Sequence, residues 1–360
     1  MKTIDKVQKI SLVACALIGM NAQLAYAQTN VTVYGRVDAE VNYQTNQLTG
    51  SSSNGTPTTG SQWNAPGNMW GTSFFGFKGS EDLGGGLKAL FDLESGFATG
   101  NGEVNGGTGI WSRRSYVGVA GDFGTLKLGR DLTLPSDVVW SLDPTGQQAM
   151  GTATLAKGRN WPQTSDQVQY VSPDFNGFSG IAMYGFGGVA GSTQDSSSSG
   201  VELGYSKDGI EFKVMYDVQY DPSGQLSSLF QYSKEYTAGG TWTVSDWKFF
   251  AGYQSQDAPD MVASYGNPNK ATQYWLGANY KITPNLVLIP AAYHVELNQN
   301  SGGASLFMLG ANYYLSKRTI VFASVGSLKN SALTSFAVEV GTSAVGVNQS
   351  AFYSGVSYSF

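Results

Sequence analysis

The sequence predicts an all-β fold, a transmembrane antiparallel β-barrel of sixteen strands that forms a single domain. Three observations support this prediction. Apolar and polar residues alternate with a period of two over most of the chain, and the connections between these segments are either very short or long. Charged residues make up only 13% of the sequence, whereas about 25% is usual in soluble domains.

Residues 1–27 have the features of a secretory signal peptide, which is cleaved on export. A lysine-containing start comes first, followed by an apolar run at 10–20 and a small-residue cleavage site at 25–27. The apolar run is too short to cross a bilayer as a helix, because that takes about 20 residues. We therefore expect a mature chain of residues 28–360.

Cys15 is the only cysteine and lies inside the expected signal peptide. A lipoprotein signal ending at Cys15 is the alternative, but few apolar residues precede it. The mature chain then has no cysteine, which excludes disulfides and thiolate chemistry. Removing residues 1–27 lowers the basic residues from 21 to 18 and the acidic residues from 26 to 25, so the net charge changes from −5 to −7. This balance argues against nucleic acid as a partner.

Alternation is clear in three well-separated segments. At 31–41 the odd positions are mostly Val and Ala, and the even positions are polar or charged. The segments 286–297 and 351–360 alternate in the same way. Such alternation over about ten residues is typical of a strand with one face toward lipid and one toward a polar lumen. After residue 27 there is no apolar segment of 18 residues, so a membrane-spanning chain would have to form a closed barrel.

Short turns and long polar connections follow each other along the chain. The short turns, most of which contain Gly, Asn, Asp or Pro, lie at 81–85, 122–124, 173–177, 208–209, 245–246, 283–285 and 316–318. The long connections lie at 44–68, 98–110, 132–164, 188–199, 220–230, 256–270, 298–304 and 329–348. Seven short turns and eight long connections separate sixteen strands, and an even strand number with this pattern is typical of outer-membrane barrels.

Two other classes of protein compete with this interpretation. A secreted glycan-binding β protein accounts for the strands and the 47 glycines, but not for apolar alternate positions on every strand. An outer-membrane barrel hydrolase needs catalytic groups. His294 is the only histidine, and its alternation predicts a lumen position beside Glu296, so neither a catalytic triad nor a histidine-rich metal site is supported. We expect no catalytic site, no cofactor and no metal.

Six motifs and the last residue stand out along the mature chain. They are Val31-Thr32-Val33-Tyr34-Gly35, Gly76-Phe77-Lys78-Gly79-Ser80-Glu81-Asp82-Leu83-Gly84-Gly85-Gly86-Leu87-Lys88-Ala89, Arg114-Ser115-Tyr116-Val117-Gly118-Val119, Gly124-Thr125-Leu126-Lys127-Leu128-Gly129-Arg130, Tyr170-Val171-Ser172-Pro173, Gly177-Phe178-Ser179-Gly180 and Phe360. Together they resemble the general diffusion porins of Gram-negative outer membranes, above all those of the β-proteobacteria. The resemblance covers essentially the whole mature chain.

This resemblance implies a water-filled outer-membrane channel for passive diffusion of small hydrophilic solutes and ions. It also implies a homotrimer in contact with outer-membrane lipid, short periplasmic turns, long extracellular loops, and recognition of Phe360 by the barrel-insertion machinery. The third long loop, 132–164, is expected to fold into the lumen as a constriction opposite basic residues of the barrel wall.

The candidate residues of the pore constriction are Arg36, Lys78, Arg114, Lys127, Arg130, Asp137 and Asp143. Alternation places Arg36 and Lys78 on the lumen side. Arg114 and Lys127 share strand faces with polar or small neighbours, which favours the lumen side for them as well. Arg130 has the opposite parity, and only the resemblance favours the pore there. Asp137 and Asp143 are the acidic residues expected on the constriction loop.

Two positions of the wall depart from the resemblance. Phe74 and Gln169 occupy places where such porins often carry an arginine, and the expected constriction loop contains Trp140 and Trp161. The wall is therefore less basic than in a plainly anion-selective pore. A porin selective for particular small organic solutes is the alternative to a general diffusion channel.

Overall fold

The computed structural model describes residues 30–51, 55–105, 109–338 and 343–360. The expected signal peptide at 1–27 lies outside the described residues. The strands are β1 (Asn30–Ser51), β2 (Pro57–Asn64), β3 (Ser73–Gly84), β4 (Leu87–Phe97), β5 (Arg114–Gly121), β6 (Gly124–Leu132), β7 (Gln163–Val171), β8 (Phe178–Gly185), β9 (Ser198–Lys207), β10 (Ile210–Gln219), β11 (Lys234–Val244), β12 (Trp247–Asp257), β13 (Lys270–Thr283), β14 (Leu286–Leu297), β15 (Gly303–Tyr314), β16 (Thr319–Asn330) and β17 (Gln349–Ser359). Two helices, α1 (Leu134–Leu142) and α2 (Thr152–Leu155), lie between β6 and β7.

Antiparallel pairing joins β3 to β17 in sequence order. Strand β1 closes the sheet, because its residues 30–36 pair with β3 and its residues 36–44 pair with β17. Strand β2 is not part of the wall and pairs with the far end of β1. In the described residues, closure leaves no unpaired edge among the sixteen strands of the wall, and the predicted closed barrel of sixteen strands is confirmed.

The wall follows the alternation of the sequence. In β1 the valines face outward, and Val33 is 57% exposed, whereas the side chains of Tyr34, Arg36 and Asp38 face the lumen. All seven short turns occur where they were expected. The turn at Asp208 and Gly209 has φ values of 52° and 81°, the left-handed conformation that a two-residue hairpin of this kind requires.

Aromatic rings surround the outer surface near both ends of the strands. Trp247, beside a short turn, stacks on Tyr280 with 4.1 Å between ring centroids. Near the long-loop ends, Tyr216 lies 4.9 Å from Tyr236. Such girdles are characteristic of the two membrane–water interfaces of a β-barrel. No helix in the described part of the chain is long and apolar enough to cross a membrane.

The main apolar core lies inside the barrel, between the third long connection (133–162) and the inner side of the strands that it crosses. Its fully buried members include Leu134, Val139, Leu142, Met150 and Leu155 from the connection, and Trp275, Ile289, Tyr293, Leu306, Phe322 and Tyr353 from the wall. We call the lumen-facing side of β10–β17 the far wall. The connection therefore fills one side of the lumen.

The core corrects the expected orientation of β14. Tyr293 and Val295 face the lumen and are at most 2% exposed, so His294 and Glu296 point to the outer surface. There His294 Nε2 lies 3.3 Å from Glu296 Oε2, and Nδ1 lies 2.8 Å from Ser305 Oγ. The prediction of a lumen histidine was wrong, because the inner face of β14 is covered by the third connection and is therefore apolar.

Candidate functional site

The third connection is fastened to the far wall by hydrogen bonds at several points. Helix α1 begins after Thr133, whose side-chain oxygen accepts from the Ser136 amide, an N-cap that satisfies one free amide of the first turn. At its other end, the Leu142 carbonyl accepts from Trp275 Nε1 at 2.8 Å. Further along, Gln273 Nε2 donates to the Thr152 carbonyl at 3.0 Å. The connection is thus held along most of its length.

Asp143 holds this attachment together. Its carboxylate accepts hydrogen bonds from the amides and hydroxyls of Thr145 and Thr152, at 2.7 to 2.8 Å, and from the Tyr293 hydroxyl at 2.8 Å. Asp143 is only 2% exposed. The sequence predicted a carboxylate that faces the basic wall across the pore. In the structure its oxygens accept four hydrogen bonds from within the connection and one from Tyr293 of β14.

A buried ion pair holds the end of the connection. Arg159 Nη2 lies 2.6 Å from Asp217 Oδ1 on β10, and both side chains are fully buried. The same nitrogen donates to the Ser233 carbonyl at 3.4 Å. Removing one partner of such a pair leaves an uncompensated buried charge. Neither Arg159 nor Asp217 was identified from the sequence, because their partnership spans 58 residues.

A second segment, 65–72, also turns into the lumen. The Met69 carbonyl accepts from the Ala149 amide at 2.9 Å, so this segment touches the third connection. The Trp70 indole donates to Asn312 at 3.0 Å and stacks on Phe322 with 5.8 Å between ring centroids. The sequence predicted an ordinary long connection at 44–68, and the inward path of 65–72 was not predicted.

The space left between these segments and the opposite wall is a cavity of about 1280 Å³. We call the lumen-facing side of β1 and β3–β6, together with Arg113, the charged wall. The charged residues that line the cavity are Arg36, Arg113, Arg114, Lys248, Glu94, Asp137, Asp143 and Glu211. Four are basic and four are acidic, so the lining has no net formal charge. Trp70, Phe74, Trp140, Trp161 and Phe250 also line it.

Most cations of the charged wall lie beside carboxylates of the same wall. Arg113 Nε lies 2.5 Å from Glu94. Arg114 lies 3.6 Å from Asp131 and 3.9 Å from Glu94. Because these two arginines are compensated at short range, they produce a weaker field across the lumen than isolated arginines would.

Arg36 is held differently. Its Nε donates to the Thr72 carbonyl at 2.9 Å. Its guanidinium lies over the rings of Trp70 and Phe74, at 5.5 and 5.6 Å from their centroids. Within the described residues, no carboxylate oxygen lies within 4 Å of it. Phe74, which stands where an arginine was expected, therefore supports an arginine from the neighbouring strand.

Of the seven residues predicted for the constriction, four line the cavity, namely Arg36, Arg114, Asp137 and Asp143. The other three do not. Lys78 lies over the Tyr34 ring, 4.5 Å from its centroid, and Lys127 pairs with Asp131 at 2.9 Å.

Arg130, which the resemblance assigned to the pore, is not among the residues that line this cavity. Its Nε donates to the Ser112 carbonyl at 2.6 Å, and its Nη1 donates to the Ser165 hydroxyl at 2.5 Å. Its place in the constriction therefore stays a prediction. Arg113 and Glu94 belong to the lining and were not among the predicted constriction residues. Arg113 lies just before β5, where alternation gives no guide to its direction.

Metal binding has no structural support in the part of the chain that is described. No group of three His, Cys, Asp or Glu side chains there is arranged to hold an ion. The carboxylates of Asp92 and Glu94 accept hydrogen bonds from Tyr34 at 2.5 and 3.1 Å and lie beside arginines, so they are engaged in the charged network of the wall.

Comparison with known proteins places this barrel among outer-membrane channels. A family model described as "Gram-negative porin" matches residues 11–333. Outer membrane porin protein 32 of Delftia acidovorans is 30% identical over 346 residues, which cover 89% of this chain and 90% of that protein. An outer membrane porin protein of Bordetella pertussis is 26% identical over 387 residues, covering 94% and 98%.

Solved structures agree on the fold. The anion-selective porin from Comamonas acidovorans superimposes with a TM-score of 0.76 at 23% identity, covering 92% of this chain and 100% of that one. A trimer form of OmpT from Vibrio cholerae gives a TM-score of 0.61 at 18% identity, covering 92% and 99%. At these identities the likeness concerns the barrel alone.

Proposed function

Because the chain belongs to the Gram-negative porin family and forms an outer-membrane channel for passive diffusion, we propose that solutes cross it along the charged wall, through the cavity that the third connection leaves open. Members of this family are channels without enzymatic activity. That excludes the barrel hydrolase and the secreted glycan-binding protein as alternatives.

One observation carries the proposal. The third connection is bonded to the far wall through Trp275, Tyr293 and the Arg159–Asp217 pair, and its apolar side is buried there. Small hydrophilic solutes and ions are then confined to the opposite side, where the lining is charged. The connection acts as a fixed constriction, because moving it would expose an apolar core and an unpaired buried arginine.

Weak ion selectivity follows from the lining of this passage. The cavity has equal numbers of acidic and basic residues, and most of its arginines lie beside carboxylates. The relative from Comamonas acidovorans is described as anion-selective, and its selectivity belongs to that protein. For this chain we expect only a modest preference between anions and cations, and we expect it to depend on the pairing of Arg113 with Glu94.

Reversal potentials in a salt gradient test this proposal. Glu94→Gln removes the partner of Arg113 and should shift permeation toward anions, whereas Arg113→Gln should shift it toward cations. A charge about 8 Å from the ion contributes about 2 kcal/mol at an effective dielectric constant near 20, and salt in the lumen reduces this.

The matched control is Asp195→Asn, which removes one charge from a long connection outside the cavity lining. It should change the reversal potential little, since screening acts within about 10 Å at moderate salt. Equal shifts for Asp195→Asn and Glu94→Gln would show that permeating ions do not follow the charged wall.

Trimer assembly is a further part of the proposal. The solved trimer form of OmpT supports it by fold likeness, and an aromatic cluster supports it on the outer face of β3. There Trp111 lies 6.2 Å from Phe75 and 6.0 Å from Phe77, between ring centroids. The protein should run as a heat-modifiable trimer in mild detergent. A folded monomer at every protein concentration would contradict this.

A further inference from the structure

Arg36 is poised to bind an anion from solution. Its Nε donates to the Thr72 carbonyl, and its guanidinium packs over the rings of Trp70 and Phe74. The side chain is therefore fixed before any solute arrives. It lies against Gly71, where a Cβ atom would come within 2.6 Å of its Cζ and Nη2. Among the cavity-lining arginines of the described chain, it alone has no carboxylate within 4 Å.

Trp140 presents an uncommitted aromatic surface to the same cavity. It is 55% exposed, and in the described structure its ring takes part in none of the aromatic or cation–π contacts. The opposite side of α1, with Val138, Val139 and Leu142, is buried against the far wall. Because the Leu142 carbonyl at the end of α1 accepts from Trp275 of the far wall, the helix holds the indole on the cavity side, where a planar solute can stack on it.

The other charges of the lining limit what else the solute can carry. Glu94, Asp137 and Glu211 face the same space, and each repels a second negative charge on a bound molecule. A volume of about 1280 Å³ leaves room for a small ring together with water. The solute that fits best has one carboxylate and one flat aromatic ring.

We propose that this cavity contains a binding subsite for planar aromatic monocarboxylates such as benzoate. The carboxylate accepts hydrogen bonds from the Nη atoms of Arg36, a charge-assisted arrangement that suits the guanidinium fork. The aromatic ring stacks on Trp140. This subsite deepens the proposed channel function and rests on it, since the solute must first enter the same passage.

The experiment is a titration of ion current through the assembled channel in planar bilayers. Benzoate, cyclohexanecarboxylate, acetate, benzamide and phthalate are added in turn, and the concentration that halves the chloride current is measured. Benzoate should block at the lowest concentration. Cyclohexanecarboxylate has the same charge without a flat ring, benzamide has the ring without the charge, and phthalate carries a second charge. Each of these should bind more weakly.

Variants then assign the two contacts. Trp140→Ala should weaken benzoate block by about two- to tenfold, the range expected for loss of one aromatic stack, and should leave acetate unchanged. Arg36→Gln should weaken block by every carboxylate. Arg36→Lys keeps the charge but loses the fork, so it should reduce benzoate block only in part, and it serves if Arg36→Gln assembles poorly.

The matched control is Trp63→Ala. Trp63 is 67% exposed on β2 and does not line the cavity, so benzoate block should be unchanged. Equal block by benzoate and cyclohexanecarboxylate, or no effect of Trp140→Ala, would overturn the subsite while chloride conductance continued. Absence of conductance in the unmodified protein would instead overturn the proposed channel.

Discussion

Asp143 offers the strongest test of how the constriction is held. Its two oxygens accept five hydrogen bonds, and two of the donors are backbone amides. In Asp143→Asn, the new NH2 group would face either the Thr152 or the Thr145 amide, which cannot turn into an acceptor. An unsatisfied buried donor costs about 1–3 kcal/mol, and hydrogen bonds to a charged group contribute about 1.5–3 kcal/mol each. We therefore expect the hydrogen-bonded cluster around residue 143, including its bond to Tyr293 of β14, to weaken by about 2–4 kcal/mol.

Single-channel recording shows whether this attachment matters. A loss of about 3 kcal/mol raises the detached fraction of the connection by about a hundredfold, so Asp143→Asn should add current flicker and broaden the conductance distribution. Asp137→Asn is the matched control, because Asp137 lies on the same connection, lines the same cavity and accepts no hydrogen bond among the contacts of the described residues. It should move the reversal potential and leave the current quiet. If both variants shifted the reversal potential equally without added flicker, Asp143 would be acting as a free charge and the reasoning would fail.

Three further predictions concern other parts of the barrel. Arg159→Met should cost about 3–5 kcal/mol in unfolding free energy, with only part of it recovered in the double variant with Asp217→Leu, because the buried Glu235 also interacts with Arg159; a single variant as stable as the parent would contradict this. Deleting Phe360 removes a ring that packs on Gly35 and two backbone hydrogen bonds of 3.1 and 3.0 Å that close the barrel. The amount of assembled barrel should therefore decrease while export continues. An unchanged amount would show that Phe360 has no role in assembly. Hydrogen bonds from a serine hydroxyl and backbone amides lower the pKa of Asp221. The order that these bonds give the loop should be present above the usual carboxyl pKa of about 4 and be lost as the pH falls through the lowered pKa. Hydrogen exchange of the loop amides between pH 7 and 2 measures this, and protection that did not change with pH would refute it.

The wall of the barrel was predictable because its physics is local. In β1 the valines face lipid and the polar residues face the lumen. Because side chains alternate between the two faces of a strand, this difference appears in the sequence as a period of two. Turn residues such as Asp208 and Gly209 mark where strands reverse. Strand number and closure follow from these two local signals.

The interior was predictable only where the lumen is polar. Alternation predicted β14 as a strand, but it also predicted that Ile289, Tyr293 and Val295 face lipid. The local sequence gives no sign that a connection 130 to 150 residues earlier covers these side chains. The same distance hides the role of Asp143. From the sequence alone, a carboxylate on a loop is expected to be a free charge. The hydroxyl and amide groups that donate to it come together only when the chain folds.

The position of the core has a consequence for how this channel can vary. Far-wall residues such as Trp275 and Tyr293 pack against the third connection and also donate hydrogen bonds to it. Substitutions there weaken the attachment of the connection, and the size of the passage changes as a result. Substitutions on the charged wall, at Arg36 or Glu94, change the charges that line the cavity and leave the hydrogen bonds between the third connection and the far wall in place. We expect variants of the charged wall to change mainly which solutes pass, and far-wall variants to change the size of the passage together with thermal stability.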